Sequence, residues 1–405
     1  MSNLEEEFLS RARALLQTPQ VKEYATSPLS CFTSVGNVDD QKRGRELISK
    51  GKVAALVVAG GQGSRLRFRS PKGCAPVSVI QSKTLFQLFA ERVLAASHAA
   101  CRSLQIAFMT SPQNHLETLD YFQRHAFFGL NAEQVHFFSQ EEWPLLDFEG
   151  NVIHNGTGAN GNGGALRYLA SSPLFPLWKK MGIEMVEFHL VDNALSFPFD
   201  PELIGFHARF GNEVSVKAAK RRSAKEHVGV LVEAEGRVEV IEYSECPSAC
   251  SDLQLYPLAN LSLFCFQMEF IEKVAHQELP LHKMRKAVAY LDEAGKRHFP
   301  DTPNAWKFEE FIFDVLPYSC KTGVLVYPRE QIFAPLKNYE GENTLDDVKR
   351  ALQEVDRRAW LSLAKTPPPP HPFELAAPFH YPTPEMLKKL EGALPPSTPY
   401  ISVDF

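Results

Sequence analysis

The sequence predicts an α/β protein: a doubly wound, mixed but mostly parallel sheet with a small antiparallel subdomain appended. Three observations carry this reading. From Val53 onward, short apolar runs alternate with longer amphipathic stretches, the pattern of strands joined by crossover helices. A glycine-rich segment follows the first apolar run directly. The 405 residues, 44% hydrophobic and 22% charged, suffice for a core of about two to three domains without disulfide or metal support.

Residues 1–49 read as an N-terminal helical segment, because Leu4, Phe8 and Leu9 recur at helical spacing and Ala12, Leu15 and Leu16 continue the stripe. The core spans 50–345. Its strands are VAALVVA (53–59), LQIAFMT (104–110), VHFFS (135–139) and MVEFHLV (185–191), with helices at 84–97, 112–125 and 200–210. Ser111 before Pro112 and Asp200 before Pro201 each place a capping oxygen ahead of a proline suited to the first helical position. Between 213 and 243, EVSVKA, VGVLVEA and VEVIEY are split by short polar turns and read as appended antiparallel strands. Helices follow near 268–276 and 308–316, then a long one from Thr344 to Leu363 whose Thr344 and Asp347 form a capping box. Residues 346–405 comprise that helix and a proline-rich tail. Eleven of the 29 prolines fall in the last 40 residues, so the tail reads as an extended surface segment and not a third core.

The net charge of −5, with neither sign segregated, argues against nucleic acid as the partner. No apolar run is long enough for a membrane span, and the acidic start MSNLEEEFLS is no secretory signal. Seven scattered cysteines without a C-x-x-C pair suit a reducing, cytoplasmic compartment. Oligomeric state is not legible.

The chemistry concentrates in AGGQGSRLRFRSPKG, residues 59–73. Gly60, Gly61 and Gly63 allow a tight turn that presents backbone N–H groups to an anion, and Arg65 and Lys72 add cations: a phosphate-binding loop. It is neither the dinucleotide fingerprint, which needs glycine where Leu66 stands, nor a G-x-x-x-x-G-K-[ST] loop. A second cluster, GTGANGNGG (156–164), permits close backbone approach to a flat or anionic ligand. In HLVDNALSF (189–197), Asp192 and Asn193 end a buried strand at the edge where open α/β sheets bind ligands. A carboxylate facing phosphates needs a divalent cation between them, so Asp192 is the candidate ligand for Mg²⁺. The basic run KAAKRRSAK (217–225) reads as a solvated strand and loop, and Cys74 as an inert neighbour of the loop's cations.

These residues resemble the eukaryotic-type UDP-sugar pyrophosphorylases, closest to the UDP-N-acetylglucosamine pyrophosphorylases. The likeness runs collinearly over roughly 43–350: AGGQGSRL, PKG, TLFQLFAERV, MTSPQNH, HAFFGL, FFSQEEWP, GNGG, VDN, VGV, EYSE, KFEEFIFD and REQIFAPLKN. It implies a Rossmann-like nucleotide-diphospho-sugar transferase fold whose sugar-binding part lies at about 213–330. It also implies uridylyl transfer from UTP to N-acetylglucosamine 1-phosphate, releasing pyrophosphate, with Mg²⁺. By that similarity Arg65 and Lys72 hold the triphosphate and leaving group, and Lys337 the sugar-linked phosphate. Ala59, Gly60, Gly61, Gln140, Gly161 and Asn162 bind the nucleotide; Gly229, Glu242 and Asn260 bind the sugar. His282 matches a family histidine near the sugar phosphate, where a packing role fits equally. The chain departs from the family at LYPLANLSLFCF (255–266), where only Asn260 survives clearly, and in its short C-terminal tail. Two alternatives therefore stand: a UDP-glucose or broad-specificity pyrophosphorylase, and a non-catalytic UDP-sugar-binding protein.

Overall fold

The computed structural model describes residues 3–17, 26–288, 290–291, 297–298 and 300–403. The stretch 18–25 of the expected N-terminal helical segment lies outside these.

Seven strands form the centre of the main sheet: β1 (Val53–Val58), β2 (Gln105–Thr110), β3 (Val135–Ser139), β4 (Met185–Leu190), β5 (Val214–Lys220), β6 (Leu258–Gln267) and β7 (Thr322–Val326). Their order is β7-β5-β6-β4-β1-β2-β3. β6 alone among them runs antiparallel to its neighbours β5 and β4; the other pairings are parallel. The apolar runs are continuous because both faces are covered. On β1, Val53, Ala55 and Val57 pack with Phe86, Phe89 and Phe122 on one side, while Ala54 and Leu56 pack with Leu166, Trp178 and Phe270 on the other.

EVSVKA corrects the sequence reading: as β5 it sits inside the main sheet, parallel to β7, and only Gly229–Ala234 and Arg237–Ile241 form an appended antiparallel hairpin. A second, four-stranded antiparallel sheet was not foreseen. It orders His282–Lys286, Ala305–Glu309, Glu142–Leu146 and Val152–Ala159. The expected helix at 308–316 is instead the end of one of these strands followed by a 3₁₀ turn, Ile312–Tyr318. The helix Asn3–Gln17 packs Phe8, Leu9 and Ala12 on this small sheet against Leu146 and Phe308.

Asp200 caps its helix as expected, accepting from Glu202 N and Leu203 N ahead of Pro201. Ser111 does not cap: residues 112–114 form a turn, the helix starts at His115, and Ser111 N instead donates to Asn114 Oδ1 at 2.8 Å. The long helix Leu345–Ala364 has the Thr344–Asp347 capping box.

The tail overturns its reading. Phe373, Leu375, Phe379, Leu390 and Ile401 bury themselves with Trp360 and Ala364 in a third apolar cluster, because proline forbids helix and sheet interiors but not burial. The tail also ties to the segment after the glycine-rich loop: Glu374 Oε2 accepts from Ile80 N (2.9 Å) and Gln81 N (3.0 Å), and Lys83 donates to Tyr400 Oη at 3.0 Å. Among the described residues no helix is long and apolar enough to cross a membrane.

Candidate functional site

β1 delivers the chain into the glycine-rich loop at the carboxyl edge of the sheet. Ala59 N donates to Met109 O (2.7 Å), Asn114 Nδ2 donates to Ala59 O (2.9 Å), and Lys72 N donates to Gly61 O (3.2 Å). Sequence reasoning missed Asn114, a fully buried side chain that holds the loop's entry from 55 residues away. None of Gly60, Gly61 and Gly63 has a left-handed φ; among the described residues of the loop Arg67 does, at φ 56°. The glycines act by their bulk. A Cβ on Gly60 would lie 3.2 Å from the Gln140 carboxamide and one on Gly63 2.9 Å from Phe68, whereas one on Gly61 would meet nothing within 4 Å. Gly60 thus brings Gln140, at the end of β3, against the strand edge.

Two residues past β4 stands Asp192, whose Oδ2 lies 3.4 Å from Lys72 Nζ, with both side chains 17% exposed. Asp192 O accepts from Leu336 N at 2.8 Å. Asn193 completes the tie, accepting from Ala334 N (2.9 Å) and donating to Ile332 O (2.7 Å). The segment that carries Lys337 is thereby docked on the edge that carries Asp192 and Lys72. Arg65 is exposed and faces the small sheet, where partial burial and the like charges of Lys307 and Arg65 push the Lys286 ammonium below the usual lysine range. Lys286 is thus a further cation beside the loop.

The second glycine cluster behaves differently. Gly161 has φ +89°, and a Cβ there would lie 2.2 Å from Glu310 O. Asn162 Oδ1 accepts from Ile312 N at 2.9 Å, and Gly163 N donates to Glu310 O at 2.9 Å. These residues also hold 310–312, so the cluster packs closely against the protein as well as lining the cleft side expected from the sequence.

On the remaining side, Gly229 and Asn260 are register partners across the hairpin and β6. Asn260 Oδ1 accepts from Ser262 N (3.1 Å) at a bulge where Ser262 takes φ 53°. Glu242 follows Ile241, the partner of Val230, and so stands at the same end as Gly229. Burial, with Glu245 and Asp314 nearby, pushes its carboxyl up to about 7 against the pull of His282 and Lys337. Lys337 therefore stands within electrostatic reach of Glu242, which joins the phosphate edge to this pocket. His282 donates to Glu245 Oε1 and Asp314 Oδ2, 2.9 Å each. Burial opposes its charge, but these two bonds outweigh it and hold the imidazolium up to about 9. Glu245 and Asp314 were not foreseen; Glu245 lies in the quoted EYSE, and Asp314 in KFEEFIFD.

Cys74 is inert, its thiol pushed up to about 12 by burial and Glu117. In the basic run, Lys217 and Arg221 are buried rather than solvated: Lys217 pairs with Asp200 at 2.5 Å, and Arg221 donates to the Cys250, Tyr256 and Ala224 carbonyls. Among the described residues no cluster of three histidine, cysteine or acidic side chains is placed to hold a metal.

Residues 3–342 match the family model of UTP–glucose-1-phosphate uridylyltransferase. The UDP-N-acetylglucosamine pyrophosphorylase of Saccharomyces cerevisiae is 33% identical over 362 residues, covering 83% of this chain and 74% of the yeast protein. The crystal structure of an Entamoeba histolytica protein superposes with a TM-score of 0.84 at 29% identity, covering 94% of this chain and 99% of that one. The uridine diphosphate N-acetylglucosamine pyrophosphorylase of Trypanosoma brucei, 23% identical, shares the fold with a TM-score of 0.81 over 100% of this chain and 94% of its own. The chain belongs to the UTP–glucose-1-phosphate uridylyltransferase family.

Proposed function

We propose that this member of the family transfers the uridylyl group of UTP to N-acetylglucosamine 1-phosphate, releasing pyrophosphate. The observation that carries the reading is the convergence at one sheet edge of Lys72, Asp192 and the segment bearing Lys337, tied by the 3.4 Å ion pair and the Asp192 O bond from Leu336 N. A phosphate oxygen of the sugar phosphate attacks the α-phosphorus of UTP; the bond from that phosphorus to the β-bridging oxygen breaks, and its electron pair leaves with pyrophosphate. The nucleophile is already an anion, so no general base is needed. What the protein supplies is position and compensating charge. Arg65 and Lys72 face the β- and γ-phosphates, and Lys337 faces the sugar-linked phosphate. The Gln140 carboxamide, which can both donate and accept, reads the imide edge of uracil beside Ala59, Gly60 and Gly61. Glu242, Gly229 and Asn260 face the sugar.

We assign Mg²⁺ to Asp192. A single edge carboxylate suits an ion that takes most of its oxygens from phosphate and water, and when bound the ion would neutralise phosphate charge. Seven free thiols support a reducing, cytoplasmic setting. The N-acetylated sugar is favoured because the yeast relative, at 33% identity, is a UDP-N-acetylglucosamine pyrophosphorylase, whereas a Trypanosoma brucei UDP-glucose phosphorylase shares only 15%. The test is pyrophosphate release from UTP and Mg²⁺ with N-acetylglucosamine 1-phosphate, glucose 1-phosphate or no sugar. Strongest release with the first is expected. Preference for glucose 1-phosphate would move the specificity, and no release with either sugar phosphate would overturn the reaction.

A further inference from the structure

Arg67 holds the phosphate loop in a conformation that costs any side chain but glycine's, with φ 56°. An arginine kept at such a position calls for a contact that glycine could not make. Its guanidinium lies 4.2 Å from the centre of the Tyr339 ring, and Nη2 is 3.8 Å from Glu340 Oε1. Tyr339 and Glu340 follow Lys337 by two and three residues. Arg67 follows Arg65 by two and precedes Lys72 by five. One side chain therefore bridges the loop that carries Arg65 and Lys72 to the loop that carries Lys337. Beneath it, the same two loops meet through the Lys72–Asp192 pair and the bond from Leu336 N to Asp192 O. The floor of the cleft has one tie and the rim another.

We propose that Arg67 and Tyr339 are positioning residues: a clasp at the rim that holds the triphosphate loop and the sugar-phosphate loop at the spacing UTP requires. The inference rests on the uridylyltransferase reading. The contact is open to solvent, with the Arg67 side chain 69% and that of Glu340 77% exposed, and exposed ion pairs add little to global stability. Its consequence is therefore loop placement. Arginine suits the task because a planar guanidinium can stack on a ring, which a lysine ammonium cannot.

The test is a double-mutant cycle of Arg67→Gly, which also relieves the backbone, and Tyr339→Ala. Each single variant is expected to raise KM for UTP about two- to fivefold, the scale of an exposed cation–π contact, with kcat within about twofold. The double variant should be no worse than the poorer single, Tyr339→Phe should restore the wild-type KM, and the melting midpoint should stay put. Titration calorimetry with UTP reads the same effect without turnover. Wild-type KM and UTP affinity in Arg67→Gly, multiplying effects in the double variant, or a Tyr339→Phe that behaves as Tyr339→Ala would overturn the clasp. A wild-type protein that binds UTP yet releases no pyrophosphate would overturn the proposed reaction while leaving the calorimetric test of the clasp standing. One that does neither overturns both.

Discussion

Two glycine-rich loops flank the cleft, and they look alike on paper. The loop at 59–63 keeps ordinary backbone angles, and a side chain at Gly61 would project into open space. The loop at 156–164 is pressed onto the protein: Gly161 is left-handed with Glu310 O where its Cβ would be, and Gly163 is blocked by Glu310 Cβ at 2.5 Å. The first loop leaves one glycine, Gly61, facing room for a partner outside the chain, whereas Gly161 and Gly163 of the second both lie against Glu310. A glycine cluster thus signals close approach without saying what approaches.

Substitutions can sharpen or break this contrast. The largest effect belongs to the first loop's cation and its opposite number: Lys72→Ala or Lys337→Ala should lower the rate of pyrophosphate release at least about 100-fold, roughly 2.7 kcal/mol of transition-state stabilisation, with little change in melting. Near-normal turnover in either variant would remove these side chains from their assigned roles. Gly161→Ala comes next, and should cost about 2 kcal/mol in denaturant unfolding, since neither φ +89° nor a backbone carbonyl at 2.2 Å accommodates a methyl group cheaply. Unchanged stability would show that the second loop is as free as the first.

The clamp at 310–312 leads, through Phe311 ring-packed 4.7 Å from His282, to a pH effect. The folded imidazolium is held up to about 9 from 6.5, so its stabilisation is complete below about pH 6.5 and is lost as pH rises through 9. On the order of 3 kcal/mol of stability should be lost over that window, and the profile should flatten in His282→Gln. A profile identical in wild type and variant would detach His282 from it. The smallest stability effect is expected of Gly61→Ala: within about 0.5 kcal/mol of wild type, while KM for UTP rises. A destabilised Gly61→Ala would erase the difference between the loops.

The main sheet was legible because parallel strands covered on both faces read as unbroken apolar runs, as in Val53–Val58 and Gln105–Thr110. The small sheet was not, since Ala305–Glu309 pairs with Glu142–Leu146 across about 160 residues, and the apolar spacing Phe308, Phe311, Ile312 imitates a helix. The tail misled through its prolines: Phe373, Leu375 and Ile401 have no regular period, yet they bury. At the site, Lys72 and Asp192 could be placed because each lies in the loop that follows a strand of the main sheet. Asn114, Asn193 and His282 act through partners 32 to 141 residues away, a relation no local spacing expresses.

The attachment of the tail also sets a schedule. Lys83 is buried beside Glu91, Glu374 and Tyr400, and Tyr400 lies 317 residues further along the chain. At about 5–20 residues per second of synthesis, Lys83 emerges roughly 15–60 s before Tyr400 exists to meet it. The segment just after the phosphate loop therefore waits on partners more than 290 residues further along, Glu374 and Tyr400, before its buried lysine has its full set of contacts.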